Sequence, residues 1–105
     1  MAKERSFAEV LQEIYDGKKN GALFVDIYES SEDLMRFYFK NGEIYYLTYG
    51  SAVGQDCIDI IEYYTLRNAT YFDGVLAPEG SVQAKFPTKK FIEAMRKTYK
   101  KVRVP

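Results

Sequence analysis

Leu34-Met35-Arg36-Phe37-Tyr38-Phe39-Lys40, then Asn41-Gly42, then Glu43-Ile44-Tyr45-Tyr46-Leu47-Thr48-Tyr49 is the stretch that decides the fold. Asn-Gly favours a type I′ turn, whose two central residues take positive φ and whose twist matches that of paired strands. A two-residue loop sets the register, so Lys40 faces Glu43, Phe39 faces Ile44, Tyr38 faces Tyr45 and Phe37 faces Tyr46. One face of the hairpin then carries Met35, Phe37, Phe39, Ile44 and Tyr46, the expected core. The other carries the Lys40–Glu43 and Tyr38–Tyr45 pairs with Arg36, Leu47 and Tyr49, a half-wet surface.

Upstream, Ser6-Phe7-Ala8-Glu9 reads as a capping box, in which the serine hydroxyl takes an orphan amide and the glutamate reaches back to the cap. Phe7, Val10, Leu11, Ile14 and Tyr15 follow at helical spacing, which predicts a helix over 7–16 ended by Gly17. Leu23, Val25 and Ile27 alternate with Phe24, Asp26 and Tyr28 in the period of a strand. Downstream, a second helix is expected over 54–67, with Cys57, Ile58, Ile61 and Tyr64 inward and Asp56, Asp59 and Glu62 outward beside Tyr63. Ala69 to Phe72 reads as a fourth strand, and Val75–Ala77 and Val82–Phe86 as two further short ones. A third helix is expected over 87–102, with Phe91, Ile92, Ala94, Met95, Tyr99 and Val102 on one side. Lys89, Lys90, Arg96, Lys97, Lys100, Lys101 and Arg103 take its opposite arc. The expectation is a single α+β domain over residues 1–105, an antiparallel sheet of four to five strands packed with three helices, the last (87–102) basic and amphipathic.

The 105 residues suit one domain, and 47% hydrophobic with 16% aromatic content is ample for a core. Zero net charge conceals a split. Residues 1–84 hold 7 Lys/Arg and 14 Asp/Glu, whereas 85–105 hold 8 Lys/Arg and only Glu93. No apolar run approaches the roughly 20 residues of a membrane span, and no signal peptide precedes the first helix. With one cysteine, Cys57, an internal disulfide is impossible and a reducing cytoplasm is expected.

Histidine is absent, which removes His-based triads and the commonest metal ligand. Gly50-Ser51-Ala52-Val53-Gly54 lacks the lysine and the spacing of a phosphate-binding loop. The carboxylates fall on helix exteriors and turns, and Cys57 falls on an apolar helix face where an unpaired cysteine is a core residue. No catalytic residue, cofactor or metal site is expected. Ten tyrosines remain. Tyr15, Tyr46, Tyr64 and Tyr99 fit the core, whereas Tyr28, Tyr38, Tyr45, Tyr49 and Tyr63 fall on partly exposed faces, where tyrosine serves interfaces well.

Lys18-Lys19-Asn20-Gly21-Ala22-Leu23-Phe24-Val25 resembles the opening of the PATAN domain, the N-terminal part of PatA-type bacterial response regulators. Phe37 to Tyr45 is similar to that family's aromatic hairpin, Gly50 and Gly54 with Asp56-Cys57-Ile58 and Ile61 to its second helix, and Ala69–Phe72 to its closing strand. The likeness covers residues 6–73. The family's tryptophan near the end of the second helix has no counterpart, Tyr64 being the nearest large aromatic. Its best-known members carry a receiver domain where this chain has a basic segment. The resemblance implies a non-enzymatic, cytoplasmic protein–protein interaction module of bacterial signalling, in the setting of two-component systems.

The alternative is binding of nucleic acid or an anionic surface through the basic helix, which ranks second because the acidic residues 1–84 would repel a polyanion. A membrane-surface role would insert Phe91, Ile92, Met95 and Tyr99, a face better used in packing. The expected partner is a signalling protein, and self-association as a dimer is expected as well. Asp56, Asp59 and Glu62 on one helix and Arg96, Lys97 and Lys100 on another would meet within a chain or between two, with the wet tyrosines supplying apolar area.

Overall fold

Asn41 and Gly42 both take positive φ, 52° and 82°, the type I′ geometry their dipeptide favours. They join two long strands in a computed structural model that describes residues 3–81 and 86–105. The elements are β1 (Lys3–Ser6), α1 (Phe7–Asp16), β2 (Gly21–Ile27), β3 (Ser30–Lys40), β4 (Glu43–Tyr49), β5 (Ala52–Val53), α2 (Gln55–Tyr63), β6 (Leu66–Asp73), α3 (Thr88–Thr98) and β7 (Lys101–Val104). The fold is α+β, as expected. Its sheet, however, has seven strands among the described residues, in the order β1-β7-β6-β2-β3-β4-β5, rather than four or five. It is also mixed. Every neighbouring pair is antiparallel except β6 and β7, and α3 supplies the crossover that a parallel pair requires.

The hairpin starts in the expected register and then leaves it. Lys40 opposes Glu43 and Phe39 opposes Ile44, but Tyr38 opposes Tyr46, and Phe37 opposes Leu47. Tyr45 is the extra residue of a β-bulge, which inverts every side chain beyond it. Leu47 is therefore buried and Tyr49 packs against the core, while Tyr46 joins Tyr38 on the opposite face. The expected core member Tyr46 and the expected surface residues Leu47 and Tyr49 exchange places.

Helix α1 forms over the expected residues, but the capping box does not. Ser6 makes no side-chain cap bond; it is the last residue of β1, opposite Lys101, and the Phe7 amide donates to the Lys100 carbonyl at 2.9 Å. Helix α2 ends at Tyr63, four residues before the expected 67, because Tyr64 turns to extended backbone and Leu66 begins β6. Helix α3 stops at Thr98 rather than 102. Tyr99 takes the left-handed conformation at φ 56°, and the chain continues as β7. Tyr99 is thus exposed and not part of the packing face, and Val102 is buried from a strand. Residues 75–77 form no strand, and the expected strand 82–86 falls mainly on residues outside those described.

The buried side chains of α1 (Phe7, Leu11, Ile14), α2 (Cys57, Ile61) and α3 (Phe91, Ile92, Met95) join one cluster with Leu23, Val25, Ile27, Met35, Phe37, Phe39, Ile44 and Leu47 of the sheet. Phe7, Phe37 and Phe91 form its aromatic centre, with ring centroids 5.8–6.5 Å apart. All three helices therefore pack on one face of the sheet, and none of them on the other.

Candidate interaction surfaces

The helix-free face is built by the alternate residues of four neighbouring strands. Ala22 lies directly between Tyr38 on β3 and Phe72 on β6. It is fully buried although it belongs to this open face, because larger neighbours close over it. The Phe24 ring lies 5.2 Å from Phe72 and 6.3 Å from Tyr38, and Tyr38 lies 5.9 Å from Tyr46. The result is a row of four rings, Phe72–Phe24–Tyr38–Tyr46, crossing β6, β2, β3 and β4. Arg36 extends it, with its guanidinium 5.7 Å from the Phe24 ring centre. Phe72 is 43% exposed, whereas Tyr38 is only 4% exposed, and burial raises the Tyr38 hydroxyl above its ordinary pKa. Asp26 sits farther along β2 and accepts from the Asn68 side-chain amide at 3.1 Å.

A second feature lies where β6 and β7 diverge. Their pairing is a single bridge, Asn68 with Arg103, and beside it opens a cleft of about 440 Å³. Arg67, Lys100, Lys101 and Arg103 line it together with Tyr28, Tyr64 and Tyr99. Arg67 lies over the Tyr28 ring at 5.5 Å and 3.8 Å from Asp26. The Lys100 ammonium donates to the Tyr64 carbonyl at 2.7 Å, and Lys101 is 3.6 Å from Glu4. Close by, Glu29 accepts from the Thr65 amide at 2.7 Å and from its hydroxyl at 2.8 Å. The amide bond holds the Glu29 carboxyl below the usual range.

The residues expected at an interface separate into three groups. Tyr28 and Tyr63 are exposed, at 58% and 83%, as are Asp56, Asp59 and Glu62 along α2. Tyr38, expected to be partly wet, is buried within the aromatic row. Tyr45 is half-buried, and its hydroxyl accepts from the Ala77 amide at 3.0 Å. Tyr49 lies against the core with its ring 6.2 Å from Tyr64. Of the basic trio, Arg96 and Lys97 stand exposed on α3, where Arg96 donates to Gln12 at 3.1 Å and lies 3.9 Å from Glu93. Lys100 is not on the helix at all. Among the described residues, no ion pair joins Asp56, Asp59 or Glu62 to Arg96, Lys97 or Lys100.

Sequence reasoning placed Arg36 on the half-wet face of the hairpin but did not single out Phe24 or Phe72 as surface residues, and it missed the cationic cleft as a whole. The alternation of Lys101-Val102-Arg103-Val104 was the available signal for β7, and with it for the cleft.

Burial pushes the Cys57 thiol up to about 11, and its sulfur donates weakly to the Leu47 carbonyl at 3.7 Å, the contacts of a packing residue. Among the described residues, no group of three or more Cys, Asp and Glu side chains is placed to hold a metal ion. Nor is any described helix long and apolar enough to cross a membrane. No family model, curated protein or solved structure matches this chain.

Proposed function

We propose that the chain is a non-enzymatic interaction module that receives a protein partner on its helix-free sheet face, as a component of bacterial cytoplasmic signalling. The observation that carries this reading is the row Phe72–Phe24–Tyr38–Tyr46 with Arg36 stacked on it. Aromatic rings, two of them with hydroxyl tips, next to an arginine are side chains enriched in protein interfaces. A sheet face serving only as a solvated surface needs none of them. The resemblance of residues 6–73 to PATAN domains supplies the signalling context.

Nucleic-acid binding remains the weaker alternative. It relied on one continuous basic arc, but α3 ends at Thr98 and sends Lys101 and Arg103 into a strand that pairs with β1. A photo-cross-linking residue at position 72, in the full chain in its native host, tests the proposal. A discrete protein adduct that is lost on adding Phe24→Ser is expected; absence of any adduct overturns the reading.

A further inference from the structure

Three of the four most exposed large apolar side chains, Tyr28, Tyr63 and Tyr99, gather at one end of the molecule, the latter two above 80% exposed. Tyr28 and Tyr99 line the cationic cleft between β6 and β7. Tyr63 is the last residue of α2, and Tyr64 to Arg67, which follow it directly, form part of the cleft wall. Helix α2 carries Asp56, Asp59 and Glu62, all exposed and without an ion pair among the described residues. An acidic stripe about 9 Å long, at 1.5 Å rise per residue, thus runs along α2 and ends at Glu62, two residues before Tyr64 in the wall of a cleft carrying Arg67, Lys100, Lys101 and Arg103. Charge of one sign lies beside charge of the other, with the tyrosines around the junction.

We infer that the occupant of this cleft is the acidic α2 stripe of a second copy of the chain, in a closed two-fold dimer. Adjacent patches of opposite charge are self-complementary under a two-fold rotation. Each protomer lays Asp56, Asp59 and Glu62 on its partner's cleft and receives the same in return, so both contacts form at once and the assembly closes. The tyrosines supply the desolvated area that exposed ion pairs cannot, and the charges fix the register and speed the encounter. The cleft rather than the arc of α3 receives the acid stripe because it is concave and gathers Arg67, Lys100, Lys101 and Arg103 with the exposed Tyr28 and Tyr99 on one surface. This surface lies at the Leu66–Arg67 end of β6, whereas Phe72 lies at the other, so dimerisation is read independently of the sheet-face proposal.

Sedimentation velocity on the full chain provides the test. At about 100 µM and low salt the wild type should sediment as a dimer, and the dimer should weaken about tenfold or more as added salt screens the contact. Asp59→Lys/Glu62→Lys should be monomeric, and so should Arg67→Glu/Arg103→Glu. An equimolar mixture of the two variants restores both contacts and should return to dimer. The first pair changes only exposed helix positions, so it remains informative even if the second perturbs strand pairing. A wild type that is a 12.2 kDa monomer under these conditions overturns the inference, as does a dimer in either variant alone. So does a species that keeps growing past two copies.

Discussion

The hydroxyl of Thr88, in the first turn of α3, accepts a hydrogen bond from the Ile44 amide of β4 at 2.9 Å. Strand β5 reaches only Thr48 and Tyr49, so among the described residues no strand lies beside β4 at Ile44 on the edge away from β3. Thr88 supplies the missing acceptor and is itself buried, donating onward to the Phe86 carbonyl at 3.3 Å. One hydroxyl thereby ties the last helix to the hairpin next to its bulge.

Thr88→Val keeps the shape and removes the acceptor, leaving a buried amide without a partner at a cost of about 1–3 kcal/mol. Thermal unfolding should fall by several degrees, whereas Thr88→Ser should retain most of the stability. Equal midpoints for Val and wild type would show that the bond contributes nothing.

Gly42 meets two constraints at once. Its φ is +82°, and a Cβ there would lie 2.5 Å from the Tyr15 carbonyl oxygen at the end of α1. Its amide donates to the Lys19 carbonyl at 2.9 Å, and the Asn41 amide donates to the Asn20 side chain at 3.0 Å, so the turn is seated on the α1–β2 loop. Gly42→Val should cost more than about 2 kcal/mol, well beyond a surface change. Asn41→Gly, which keeps the left-handed conformation without strain, should be close to neutral in the same urea titration.

Cys57 gives the fold an alkaline limit. The folded thiol holds its proton up to about 11, whereas an ordinary thiol titrates near 9.0. The stability this represents is complete below pH 9 and is lost as the pH rises toward 11, because the unfolded chain ionises first. Urea midpoints should fall across that window, less steeply in Cys57→Ala than in the wild type. Parallel slopes would place the thiol in water.

Local pattern revealed what local forces determine. The Asn41-Gly42 turn, α1 and the alternation of β2 follow from a dipeptide, a 3.6-residue period and a 2-residue period. Strand β1 is Lys-Glu-Arg-Ser, with no apolar residue to announce it, and exists because β7 offers an edge for pairing. Strand β7 was hidden because Val102 also fits the helical spacing of α3, and only the left-handed Tyr99 separates the two. The bulge was invisible because Tyr45-Tyr46-Leu47 offers an apolar residue to the core in either phase. Tertiary packing chooses Leu47, whose carbonyl meets Cys57 and whose side chain joins the helix-covered core. Phe24 reads only as an alternate residue beside Asp26 and Tyr28, and Phe72 only as the end of a short strand, so the aromatic row of the candidate site could not be seen until four strands were set side by side.

Tyr46 joins that row only through the bulge at Tyr45, and single-cysteine labelling tests the arrangement most directly. In a Cys57→Ala background, cysteines at 46, 47 and 72 are exposed one at a time to a water-soluble thiol reagent under native conditions. Tyr46→Cys and Phe72→Cys should label quickly, as members of one open face, and Leu47→Cys should resist until the protein unfolds. Rapid labelling at 47 with protection at 46 would mean that the hairpin keeps its unbulged register, and the four-ring row proposed for partner binding would lose Tyr46.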